Sequence, residues 1–192
     1  MERAGGRGVT RVGVFGGTFD PVHVGHLAIA NAALDELGLD RVYFVPARRS
    51  PLKRDGPIAS AEDRIAMLAA ATRDEPRFRV SSVELDRKGP SFTVDTLEAL
   101  RGEGDLFLIL GSDAYADFER WREPARIRDL ATIVLAARPG APNAPKTVRV
   151  LDSPLMDISS RELRARAARG RSLRYLVPEA VLRYIEEHRL YR

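Results

Sequence analysis

Cysteine is absent from this 192-residue chain, which removes disulfides, thiolate nucleophiles and cysteine metal ligands together. Histidine is scarce: of three, His23 and His26 stand close together and His188 lies near the far end. A metal site needs more ligands than two imidazoles, so ligation by this pair is rejected. No stretch approaches the roughly 18 apolar residues of a membrane span. Neither G-x-G-x-x-G nor a Walker A loop occurs at the glycine turn described below, which argues against hydride transfer on that fingerprint and against P-loop hydrolysis. No Ser-His-Asp or Cys-His constellation surrounds the histidines. Residues 1–10 open without an apolar signal region and read as a loose leader. There are no repeats, and the only biased tract is the Pro-rich stretch 138–147. Charge does not run to one sign either: 31 basic residues are interleaved with 27 acidic ones, with no basic tail. The expectation is one domain over residues 1–192, cytoplasmic, with no membrane and no nucleic acid as partner. A basic nucleic-acid-binding module is the rival from another class; it predicts tight, salt-dependent binding to oligonucleotides.

What is present is concentrated in residues 12–27. Val12 to Phe15 is a short apolar run that suits a buried parallel strand. Gly16 and Gly17 follow, so the backbone turns tightly and a ligand can approach it. After Asp20-Pro21, apolar residues Leu27, Ala30, Leu34 and Leu37 recur at helical spacing until Gly38 supplies a stop. A helix N-terminus behind a glycine turn favours phosphate through unpaired N–H groups and the helix dipole. His23 and His26, three apart around Gly25, can share one face there. Thr18 beside the glycines is expected to face phosphate. The alternative is a capping histidine and a packed one.

The remaining elements alternate. Strands are expected at Arg41–Val45, Phe78–Val83, Leu106–Leu110, Ala131–Ala136 and, more weakly, Val148–Leu151. Ser60 with Asp63 caps a helix through Ala71 whose inner face reads Ile65, Leu68, Ala69 and Thr72. Further helices are expected at Thr93–Arg101, in a short region containing Trp121, at Pro124–Leu130, from Ser159 to a stop at Gly170, and at Pro178–His188. Strands alternating with helices predict an α/β, Rossmann-like, doubly wound parallel sheet with helices on both faces, and a small helical portion at 157–192. Ligands then gather at the carboxyl ends of the strands, where Gly16, Pro46 and Gly111 all fall. The loop Pro46–Ile58 is basic, with Arg48, Arg49, Lys53 and Arg54 among prolines.

The stretch Gly16-Gly-Thr-Phe-Asp-Pro-Val-His-Val-Gly-His26 resembles the signature of the H-x-G-H nucleotidylyltransferases, and most of all the bacterial nicotinate-nucleotide adenylyltransferases. Ile158-Ser-Ser-Arg-Glu-Leu-Arg164 resembles that family's Ile-Ser-Ser-Thr-x-Ile-Arg, with Arg161 in place of Thr. Gly111-Ser-Asp113 with Trp121, and Gly89-Pro-Ser-Phe-Thr93 with Phe92 in place of Tyr, are similar to its remaining motifs. Ser50-Pro-Leu-Lys53 departs from the family's Pro-Pro-His-Lys/Arg at Leu52. The resemblance implies joining of nicotinate mononucleotide to ATP, giving deamido-NAD and pyrophosphate, with Mg²⁺ carried in on ATP. It implies charge stabilisation by His23, His26, Lys53 and Arg164. ATP and its phosphates would be met at Phe15, Gly16, Gly17, Thr18, Ser159 and Ser160, and the nicotinate nucleotide at Phe92, Thr93, Asp113 and Trp121. Preference for nicotinate over its amide is expected from N–H groups at Ser91–Thr93, where a helix opens. Pantetheine-phosphate adenylyltransferase of the same superfamily is the nearest alternative.

Overall fold

The computed structural model describes residues 8–49, 56–136, 148–154 and 156–192. Among these residues six strands form one sheet, β1 (Arg11–Gly17), β2 (Arg41–Pro46), β3 (Phe78–Val80), β4 (Asp105–Gly111), β5 (Ala131–Ala136) and β6 (Arg149–Leu151). All neighbouring pairs are parallel and the order is β3-β2-β1-β4-β5-β6. The chain therefore reverses its winding between β1 and β4, and a crevice opens at the carboxyl ends of those two strands.

Alternation along each strand divides the core. Val12, Val14, Leu106, Leu108 and Leu110 point to one face, where they pack with Val94, Leu97 and Leu100 of α4 (Thr93–Leu100) and Ile127 of α6 (Pro124–Leu130). Phe15, Phe107 and Ile109 point to the other. They join a cluster built on α1 (Val24–Leu37), α2 (Ala61–Thr72), α7 (Ser160–Ala168) and α8 (Glu179–Glu187). Val181, Leu182 and Ile185 of α8 are buried there, as their spacing predicts. Two shorter helices also lie among the described residues, α3 (Val83–Asp86) and α5 (Ser112–Ala116). No helix among the described residues is long and apolar enough to cross a membrane.

Three expectations are corrected. The third strand stops at Val80, and Val83 opens α3, because Ser82 offers its carbonyl to Leu85 and Asp86 N–H and its hydroxyl to the Asp86 carboxylate at 2.7 Å. Serine at that point competes with strand pairing by forming local bonds. Trp121 is not helical: it follows a 3₁₀ turn (Phe118–Arg120) in extended backbone. The buried face of α2 is Arg64, Met67, Leu68 and Thr72, with Ala69 exposed. The helix is turned so that Arg64 reaches two carbonyls of the crevice floor. Most of the leader (residues 1–7), Lys53 with Ser50 to Arg54, and the Pro-rich stretch 138–147 lie outside the described residues.

Candidate active site

The signature loop runs from the end of β1 into α1, and His23 and His26 mark the helix start. His23 is the residue before the first turn and His26 is its third position. The backbone N–H of His23 donates to His26 Nδ1 at 3.2 Å. An accepting Nδ1 places the proton of the neutral ring on Nε2, which makes His26 a donor on its far side. The two rings stack with centroids 3.6 Å apart, and Phe19 meets His26 edge-on at 4.9 Å. His23 is only 4% exposed. Gly25 suits this stacking, since a Cβ there would stand 3.2 Å from His23 Nδ1, a tight contact against the ring. The capping and packing alternative is thus partly realised: the pair caps and packs, and both rings still line a cavity.

Asp20 holds the loop in place and was missed from sequence. It is 1% exposed. Its carboxylate accepts from Ile58 N–H at 2.7 Å, Ala59 N–H at 3.2 Å and the Tyr191 hydroxyl at 2.7 Å. Arg164 of α7 donates to the Asp20 carbonyl at 2.7 Å and stands 3.8 Å from the carboxylate. Ser160 donates to the next carbonyl, that of Pro21, at 2.9 Å. Arg64, 1% exposed, donates to the carbonyls of Thr18 at 3.0 Å and Ala47 at 2.7 Å. Burial pushes the Arg64 guanidinium below its ordinary value, opposed by the charge of Asp20. Burial, with the bond to Asp20, pushes the Tyr191 hydroxyl well above its own. The signal in the sequence was a carboxylate inside the signature; its partners lie too far along the chain to be inferred.

Two cavities meet at the crevice. The larger, about 810 Å³, is lined by the polar groups: His23, His26, Asp113, Ser159, Ser160, Arg161 and Arg164. The smaller, about 480 Å³, is lined by Phe92, Thr93, Trp121 and the strand side chains Val14, Val45, Leu108 and Leu110. Gly16, Gly17, Thr18, Gly111 and Ala114 line both. The structure therefore brings the two histidines together with the 159–164 motif, and Phe92 with Thr93 and Trp121. Asp113, grouped from sequence with the latter set, lines the polar cavity instead. Phe15 touches that cavity but is 6% exposed, its ring 5.7 Å from Phe19 and 5.8 Å from Phe44.

Several polar groups are already committed. Ser159 caps α7, accepting from Glu162 N–H at 3.3 Å and donating to its carboxylate at 2.9 Å. At α1 the first N–H, that of Val24, donates to the Leu176 carbonyl at 3.1 Å. Ser91 N–H donates to the Arg49 carbonyl at 3.0 Å and Ser91 Oγ accepts from Arg48 N–H at 2.9 Å. This corrects the expectation that the Ser91 N–H is available to an anion: it fastens the loop after β2. Sequence reading also missed Glu84, Arg120 and Arg122, all of which line the smaller cavity.

A parallel sheet in this order, with a glycine turn and paired histidines at its switch point, defines a nucleotide-handling α/β fold, and the family model described as cytidylyltransferase-like matches residues 14–166. Among curated proteins, the probable nicotinate-nucleotide adenylyltransferase of Roseiflexus sp. (strain RS-1) is 49% identical, covering 94% of this chain and 98% of that protein. That of Thermus thermophilus is 51% identical, covering 95% and 100%. The chain belongs to the nicotinate-nucleotide adenylyltransferase family. Among solved structures, a Plasmodium falciparum nicotinic acid mononucleotide adenylyltransferase complexed with NaAD superposes with a TM-score of 0.79 at 16% identity, covering 95% of this chain and 97% of that one. At that identity the likeness speaks to the fold.

Proposed function

We propose that this protein joins nicotinate mononucleotide to ATP, releasing pyrophosphate and forming nicotinate adenine dinucleotide, a step of NAD biosynthesis. The observation that carries the reading is the pair of adjoining cavities. One is lined by polar and charged groups, the other is apolar and aromatic-walled, and they share the glycine turn of β1 and the end of β4. A dinucleotide synthesised across that boundary has its new phosphate link beside Gly16 to Thr18.

In this reading ATP occupies the polar cavity with its Mg²⁺, which enters as part of the substrate. The mononucleotide places its pyridine ring between Trp121 and the Phe92–Thr93 segment. Its phosphate is already ionised at neutral pH, so no general base is needed. One phosphate oxygen attacks the α-phosphorus of ATP; the bond from that phosphorus to the bridging oxygen breaks, and pyrophosphate leaves with the electron pair. Catalysis then consists of alignment and neutralisation of developing charge. His26, donating from Nε2, and His23 contribute at the α-phosphate, while Arg161, Arg164 and the N-terminus of α7 at Ser159–Ser160 face the leaving group. Lys53 is assigned to the same phosphates from its motif alone, and Asp113 to a ribose on the polar side. The absence of cysteine suits a reducing cytoplasm, the compartment this reading takes.

The test is a substrate panel with ATP and Mg²⁺, reading pyrophosphate release. Nicotinate mononucleotide is expected to support turnover and pantetheine phosphate to support none; the reverse result overturns the assignment.

A further inference from the structure

The smaller cavity is apolar on its strand side, yet two arginines, Arg120 and Arg122, line it. Arg120 is directed to Asp117, with Nη1 at 2.9 Å from its carboxylate. Arg122 is placed differently. Its guanidinium carbon lies 5.0 Å from the centroid of the Phe92 ring, within cation–π distance of the aromatic wall. Nε faces Glu123 Oε1 at 3.2 Å and Nη1 faces Asp95 Oδ2 at 3.7 Å. The guanidinium thus lies over Phe92 in a cavity that it lines together with Trp121 and Thr93, the walls assigned above to the pyridine ring.

We infer that Arg122 reads the ionised carboxylate on that ring and so sets the choice between nicotinate and nicotinamide mononucleotides. This rests on the reading of the cavity given above. A guanidinium offers donors only, and a carboxylate accepts only, so the two match in number and geometry. A carboxamide brings its own N–H₂ donors against the same edge and leaves one side unmatched. Asp95 and Glu123 do not pre-empt the site. The Arg122 side chain is about half exposed, and ion pairs at such positions contribute little, so a substrate carboxylate can join or replace them. Glu84 also lines this cavity, and its carboxylate on its own favours the amide. It is occupied: the Thr96 hydroxyl donates to it at 2.7 Å, and Arg87 donates to that same hydroxyl at 2.7 Å. With the Ser91 N–H committed to Arg49, Arg122 is the charged donor best placed to distinguish the two rings.

The experiment is kcat/KM for nicotinate and nicotinamide mononucleotides, at fixed ATP and Mg²⁺, in the wild type, Arg122→Gln and Arg122→Lys. Because both substrates are measured on the same enzyme, a partly unfolded preparation does not change their ratio. Arg122→Gln is expected to lower the nicotinate-to-nicotinamide ratio by about tenfold or more, the scale of a lost charge-assisted contact. Arg122→Lys is expected to keep part of the preference. Equal loss for both substrates would place Arg122 on the phosphate or in a packing role and overturn the inference, as would an unchanged ratio or a lysine variant no better than glutamine. Turnover of neither mononucleotide by the wild type would instead overturn the functional reading itself.

Discussion

The hydroxyl of Tyr191, beyond the last helix, donates to the Asp20 carboxylate at 2.7 Å across a separation of 171 positions. Asp20 lies three residues before His23, so this one bond ties the C-terminal segment to the loop that aims the histidines. Ile58 and Ala59, at the entry to α2, bond to the same carboxylate. Two donors from α7, Ser160 and Arg164, meet the carbonyls of Pro21 and Asp20. The loop conformation is thereby set by three segments distant from it in sequence: the entry to α2, α7 and the segment after α8. Phe19 sits in the left-handed region at φ 49°, a backbone state costly for a bulky residue, and this surrounding network maintains it.

Removing one side of this network is expected to destabilise by unequal amounts. Asp20→Ala leaves the Ile58 and Ala59 N–H groups and the Tyr191 hydroxyl without their acceptor and removes the charge opposite Arg164 and Arg64, a loss of roughly 3–5 kcal/mol. Tyr191→Phe deletes a single bond and is expected to cost about 1 kcal/mol. Urea denaturation of both variants measures this. Similar small losses from the two would mean that Asp20 is not the shared anchor.

Replacing His23 or His26 with alanine is expected to lower kcat by about tenfold or more, since each is assigned to charge that develops during transfer. His26→Ala is the cleaner case, because His23 is the more buried of the pair and its loss also opens a void. Steady-state kinetics with thermal melts separates the effects. Variants with unchanged kcat and a lowered Tm would leave the histidines with capping and packing alone.

Trp121 is expected to set affinity without setting the choice of ring. Trp121→Ala is predicted to raise KM for both mononucleotides in parallel, with their ratio held, because stacking takes either ring alike. A change in the ratio comparable to that expected for Arg122→Gln would contradict the division of roles between these neighbours.

Much of the fold was legible because its signals are local. The strand, glycine turn and helix of residues 12–38, the cap at Ser60 and the capping box at Ser159 each involve residues within a few positions. The side of the crevice taken by Asp113 was not legible, since it depends on how α5 leaves β4. Nor was Arg64, because a long cation within a helical pattern reads as solvated until Thr18 and Ala47 supply buried carbonyls. Arg122 was passed over for a similar reason: its neighbours in sequence are Trp121 and Glu123, and only the fold sets it over Phe92.

Asp63 provides a pH test away from the site. Burial raises its carboxyl, but bonds from Ser60 and Tyr184, with the charge of His188, outweigh that and hold it below the ordinary aspartate range. Because the folded value is depressed, this contribution is present above the unfolded value of about 3.9 and is lost as pH falls through the folded one. Wild type should therefore melt above Asp63→Asn at neutral pH, and the two should converge in acid. A gap in Tm that persists unchanged below that range would show that the carboxylate charge is not what joins α2 to α8 through Tyr184.

Transfer of an adenylyl group across the boundary of the two cavities is tested most directly by the fate of labelled ATP phosphates. With nicotinate mononucleotide and Mg²⁺, label at the α-phosphorus is predicted to appear in the dinucleotide and label at the γ-phosphorus in pyrophosphate, in equal amounts. Label from the γ-phosphorus found on the mononucleotide, or released as inorganic phosphate, would mean that the protein is a kinase or a hydrolase and not an adenylyltransferase.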